Sequence, residues 1–281
     1  MQDYTTEWLR IVMQNFLIDP NGELVVFGDP KQNVYHRPLD KNGDIRLGVI
    51  GGVWNRQLTT SRRFTNPRLA NLAMAFQKQF MSSQHADEIA IDNVKETSLN
   101  FQILNYIDMR SNCSLDALVE NITNIISNDN NATRDFVVLA STTKLLRNID
   151  FRYRQLTQKQ TEITFVSTEV LDRLKKIHNV IDEGTANWKF HRDFEALERT
   201  RKRLFTTDKR CLKISTIQSF KGWDLPSVIV VLENDFISKE TNFDPMSPQA
   251  VYTAITRARE NMYIINIGNN SYHDFFYNQS L

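Results

Sequence analysis

Cysteine is scarce in this chain of 281 residues: only Cys113 and Cys211 occur, far apart in sequence. There is no Cys-x-x-Cys, and no two of the five histidines stand at ligand spacing on one helix. These absences argue against a disulfide framework and against any metal-ligand cluster. They fit two reduced thiols in a cytoplasmic protein. Glycine is sparse as well, at nine residues, and none is followed by lysine. The phosphate-cradling loop G-x-x-x-x-G-K-[ST] is therefore missing. The apolar runs, such as Val228 to Leu232, fall far short of the ~20 residues of a membrane helix, so no membrane partner is expected. The start, Met1 to Glu7, is polar and acidic and does not read as a secretory signal. An excess of one charge is lacking too: Lys+Arg total 34 and Asp+Glu 33, a net charge of +1. Any nucleic-acid site must then be local. What remains is an ordinary globular composition, with 41% hydrophobic and 24% charged residues. Its length suggests about two domains at roughly 150 residues each.

The hydrophobic pattern alternates between helices and short apolar strands. Thr6 to Leu17 reads as a helix with Trp8, Val12 and Phe16 on one face. Leu24 to Phe27, Phe136 to Ala140, Val228 to Leu232 and Met262 to Ile267 are apolar at almost every position, as strands of a doubly covered parallel sheet are. Phe101 to Tyr106 reads as a further strand. Asn66-Pro67 opens a helix bearing Leu69, Leu72, Ala73, Phe76 and Phe80. Ser114 caps another, with Leu115, Leu118, Val119, Ile122 and Ile126 inward. Thr142 to Thr207 reads as mainly helical and polar, and Ser247-Pro248 starts a helix running to about Glu260. The fold class expected is α/β with a mostly parallel sheet flanked by helices. Such sheets bind ligands beyond the carboxyl ends of their strands. That singles out Gly28 to Gln32, Ser141 to Thr143, Gly268 and the stretch Ser215 to Gly222.

Four segments carry candidate chemistry. Leu24 to Tyr35 ends a strand in Gly28-Asp29-Pro30 and then presents Gln32 and Tyr35. A glutamine amide can donate to a phosphate oxygen and accept from a water, though a surface turn would look the same. Leu58 to Pro67 places Arg62-Arg63 before a helix start, where an arginine can grip an anion or simply face solvent. Lys213 to Asp224 gathers hydroxyls and amides before Lys221-Gly222. Those groups suit a nucleic-acid backbone, and glycine permits close approach of a ligand. Val251 to Tyr263 puts Arg257 and Arg259 in the last turn of the expected helix. Neutralising the helix C-terminus would explain them equally well.

In this order the four segments resemble the motifs of superfamily 1 helicases of the UvrD/Rep/PcrA type. Gly-Asp-Pro-x-Gln-x-x-Tyr looks like motif III and Leu-x-x-Ser-Arg-Arg-Phe like motif IV. Ser-Thr-Ile-Gln-Ser-Phe-Lys-Gly-Trp-Asp looks like motif V and Tyr-x-Ala-x-Thr-Arg-Ala-Arg-Glu like motif VI. Met1-Gln2-Asp3 fits the tail of motif II. The resemblance implies a RecA-like P-loop NTPase fold that hydrolyses ATP with Mg2+ while moving along single-stranded or partly duplex nucleic acid, DNA above all. It implies that Gln32, Arg63 and Arg257 serve catalysis at the γ-phosphate, with Arg257 as arginine finger. Gly28, Asp29, Gly222 and Asp224 join them around the nucleotide, Asp224 standing where the family has glutamate. Tyr35, Thr216 and Gln218 would touch nucleic acid, Gln218 in place of the usual histidine.

The same resemblance implies a division of the chain. Residues 1–56 look like the end of a first RecA-like domain, and residues 57–281 like a second with a helical insert at about 145–210. The magnesium-binding Asp-Glu and the Gly-Lys loop would belong to a preceding N-terminal RecA-like half, so this chain alone is expected not to hydrolyse ATP. The alternative is a non-catalytic nucleic-acid-binding or regulatory module on the same fold. Two basic stretches are candidates for a nucleic-acid path: Lys144, Arg147, Arg152, Arg154 and Lys159, then Arg199, Arg201, Lys202, Arg203, Lys209 and Arg210.

Overall fold

A computed structural model describes residues 6–17, 22, 24, 29–34, 67–81, 104–111, 113–181, 184, 186–234, 244 and 246–279. In chain order its elements are α1 (Thr6–Phe16), α2 (Pro67–Phe80), β1 (Leu104–Asp108), α3 (Leu115–Asn128), β2 (Phe136–Ala140), α4 (Thr143–Thr157) and β3 (Thr161–Ile163). Then follow α5 (Thr168–His178), α6 (Trp188–Leu204), β4 (Leu212–Thr216), β5 (Leu225–Leu232), α7 (Pro248–Ile255), β6 (Ala258–Asn266) and α8 (His273–Gln279). A short 3-10 turn spans Pro30–Gln32.

The six strands form one sheet in the order β1-β6-β5-β2-β4-β3. Every pairing is parallel. Alternate residues of each strand serve opposite faces. Val137, Leu139, Val228, Val230, Met262 and Ile264 meet Leu72 and Phe76 of α2, Val251 of α7 and Phe276 of α8. Phe136, Val138, Ile229, Val231, Tyr263 and Ile265 meet Leu118 and Ile122 of α3 and Leu146 and Ile149 of α4. Two covered faces explain why these strands are apolar at consecutive positions. The expected parallel α/β architecture is therefore observed.

Local signals set several boundaries. The Ser114 hydroxyl accepts from the Ala117 amide at 3.1 Å, capping α3. Ser247 does the same for Ala250, with proline at the first helical position of α7. Gly222 has φ +94°, and a Cβ there would meet nothing within 4 Å. Its backbone conformation, not a close approach, is what requires glycine.

Several expectations change. In α1 it is Leu9 that is buried, while Trp8 and Phe16 are exposed. Leu115 lies outward at the start of α3, and Ile125 takes a place on its buried side. The helix from Ser247 ends at Ile255, five residues early, because Ala258 begins β6 and pairs with Leu225. Arg257 thus lies in a turn and Arg259 in a strand. Residues 145–210 are not all helical: β3 bonds to β4, and α4 packs on the sheet. Only α5 and α6 form a cluster apart, around Leu171, Leu174 and Phe190. Among the described residues, no helix is long and apolar enough to cross a membrane.

Candidate functional site

Arg257 is the centre of the first polar cluster. Its side chain is 1% exposed, unusual for a guanidinium. Nε donates to the Thr253 carbonyl at 3.0 Å, so the arginine does cap the end of α7. Nη1 donates to the Trp223 carbonyl at 3.2 Å. Nη2 donates to the Thr256 hydroxyl at 2.8 Å and to Gln32 Oε1 at 3.1 Å. The last contact joins residues 225 positions apart.

Gln32 is held at both its side-chain amide and its carbonyl. Its Nε2 donates to Asp29 Oδ2 at 2.9 Å, which fixes the orientation of the amide. The Asp29 carboxylate also accepts from the Lys31 amide, closing the turn. Lys221 Nζ then donates to the Gln32 carbonyl at 2.8 Å. Segments Asp29–Val34, Lys221–Asp224 and Thr253–Arg257 therefore converge on one guanidinium. Asp224 lies beside them, its Oδ1 3.7 Å from Arg259 Nε. Lys221 is the member that sequence reasoning left without a role, although the dipeptide Lys221-Gly222 was visible.

This cluster sits where β5 and β6 begin. Arg257 immediately precedes β6 and Trp223 stands two residues before β5. The general expectation of a site beyond the carboxyl ends of the strands does not hold for it.

A second polar cluster does lie at that carboxyl edge. The amides of Ser141 and Thr142 and the Ser141 hydroxyl each donate to Glu233 Oε1 at 2.8 Å. The Thr142 hydroxyl donates to Oε2 at 2.5 Å. Glu233, directly after β5, thereby caps α4, where a negative charge is favoured. Ile217 donates its amide to the Ala140 carbonyl at 3.0 Å, so Thr216 and Gln218 come up alongside Ser141. Thr216 Oγ1 accepts from the Ser219 amide at 3.2 Å. Gln218 is half-buried, and its side-chain amide has no hydrogen-bond partner among the described residues. Gly28, Tyr35 and Arg63 lie outside the described residues.

In the first basic stretch the three arginines have protein partners. Arg147 donates to the Val166 carbonyl, and Arg152 pairs with Asp116 at 2.6 Å. Arg154 bridges buried Asp150 and Glu169, at 2.8 Å to each. Its guanidinium draws the Glu169 carboxyl down to about 2. Three of the five proposed path residues in this stretch thus have protein partners. In the second stretch, Arg199 pairs with Glu195 and Lys209 with Glu162. Arg201, Lys202, Arg203 and Arg210 are exposed and carry no ion pair among the described residues.

No family model and no curated protein matches the chain. Among solved structures it is similar to the C-terminal domain of a possible DNA helicase from Lactobacillus plantarum WCFS1. The identity is 10% and the TM-score 0.41, over 74% of this chain and 89% of that one.

Proposed function

We propose that the chain is the C-terminal portion of an ATP-dependent superfamily 1 DNA helicase or translocase of the UvrD/Rep/PcrA type. Residues 1–56 would close one RecA-like domain and residues 57–281 form a second. The observation that carries this reading is the 3.1 Å contact between Gln32 and Arg257. They stand at the motif III glutamine and the motif VI arginine, and the motif V residue Lys221 anchors the glutamine's main chain. Three separated segments that resemble helicase motifs thus meet at one point.

Phosphoryl transfer asks a protein chiefly for positioning and for neutralising charge. Arg257 is the candidate arginine finger, and its Nη2 is the donor turned toward the glutamine. Gln32 presents an amide whose orientation Asp29 fixes. In a complete helicase, ATP would supply the transferable phosphoryl group and Mg2+ would offset the charge on its phosphates. Thr216 and Gln218, at the carboxyl edge of β4, are the candidate backbone contacts to single-stranded nucleic acid.

The test is nucleic-acid-stimulated ATP hydrolysis. In the complete helicase, Arg257→Ala should lower kcat by about 10³-fold or more, the range for an arginine finger. The isolated 281-residue chain should show none. Turnover by the isolated chain, or undiminished kcat in the variant, overturns the assignment.

A further inference from the structure

Helix α6 packs through Phe190, Phe194 and Leu197. At about 100° per residue, the opposite side carries Trp188, Arg192, Arg199 and Arg203, with Glu195 and Lys202 toward one flank and Lys189 toward the other. From Trp188 to Arg203 this stripe runs about 22 Å. Trp188 stands at its head, 65% exposed. Arg192 lies over the indole at 5.2 Å and Lys189 at 5.9 Å.

The charge of the stripe is uneven. Arg192 is paired with Asp193 at 2.9 Å and Arg199 with Glu195 at 2.8 Å. Lys189, Lys202 and Arg203 have no carboxylate partner among the described residues. The helix dipole explains cations in the last turn. It opposes the cations near the helix start, Lys189 and Arg192, and the first turn itself holds no acidic residue. Nor does it explain a tryptophan held in solvent, a residue that ordinarily buries 150–250 Å². An aromatic face followed by spaced, unpaired cations is the combination that holds an unpaired base and its phosphates.

We propose that the outer face of α6 is a track for single-stranded nucleic acid. Trp188 is its base-stacking platform, and Lys189, Lys202 and Arg203 meet the backbone phosphates. The track rests on the nucleic-acid part of the reading above and adds a second contact, away from Thr216 and Gln218.

The experiment is anisotropy titration of a fluorescent oligothymidylate with the intact chain, over a range of salt. Trp188→Ala should weaken binding about 5- to 150-fold, the loss of one stacked base, with the salt slope unchanged. Trp188→Phe should recover most of that loss. Lys202→Glu with Arg203→Glu should reduce the slope of log K against log salt by about 1.4, two phosphates' worth. All these residues are exposed, so folding is preserved, as circular dichroism will verify. Wild-type affinity in Trp188→Ala overturns the track. So does equal displacement of the oligonucleotide by polyglutamate from wild type and Trp188→Ala, which would mark a surface for any acidic polymer. Loss of binding in Thr216→Ala/Gln218→Ala alone overturns the track and leaves the helicase reading standing, which the ATPase assay judges separately.

Discussion

Replacing Arg257 should expose how far the two ends of the chain depend on one side chain. The guanidinium satisfies two main-chain carbonyls, a hydroxyl and the Gln32 amide oxygen. Lysine keeps the charge but donates from a single point and cannot span acceptors on three segments. At least two of the four acceptors lose their donor in Arg257→Lys. At about 1–3 kcal/mol for each buried acceptor left unsatisfied, two would cost about 2–6 kcal/mol. Gln32→Ala removes two charge-assisted hydrogen bonds, from Arg257 and to Asp29, at a half-exposed position where water can replace them, so its cost should be about 1–2 kcal/mol. The two changes share the Arg257–Gln32 bond and must not add. A double-mutant cycle by urea unfolding should return a coupling of about 1 kcal/mol. Hydrogen exchange at the amides of Gln32 and Val34 should quicken in both single variants. A coupling below about 0.3 kcal/mol, the scatter for independent sites, would refute the claim that these residues act as a unit. An Arg257→Lys chain as stable as wild type would refute the burial argument itself.

Glu233→Gln should destabilise by about 1–3 kcal/mol in the same unfolding assay, because an amide nitrogen would then face groups that are themselves donors; an unchanged midpoint would show that water replaces those bonds. The Glu169–Arg154 pair gives a pH dependence. The folded-state pKa of Glu169 is depressed from 4.5 to about 2 by Arg154. Its contribution is therefore complete above the ordinary value and is lost as pH falls from about 4.5 to about 2. With Glu169 nearly half exposed, solvent screening holds the effect to about 0.5–1 kcal/mol. Glu169→Gln should remove it at pH 7 and make no difference near pH 2, and an equal cost at both pH values would contradict the assignment.

The core strands were legible because burial on both faces writes itself into composition. Phe136 to Ala140 is apolar throughout and every residue is buried. Caps were legible at Ser114 and Ser247 because their bonds are made within three residues. The end of α7 was not. Thr256 to Glu260 has no strong helix breaker, and only pairing of β6 with β5 makes Ala258 onward a strand. Strand β3 has three residues, too few for a period, and exists because β4 offers it an edge. Among basic residues, sequence spacing could not separate Arg154, consumed by Asp150 and Glu169, from Lys202 and Arg203, left in solvent.

By itself the sequence determined the parallel α/β class, the caps and the four segments worth inspecting, since each depends on composition or on neighbours along the chain. Tertiary structure alone decided which of those segments meet. Gln32 and Arg257 lie on opposite ends of the chain, and whether their side chains touch depends on how the turn Pro30–Gln32 docks beside α7. Contact across such a separation follows from packing, which no local pattern records.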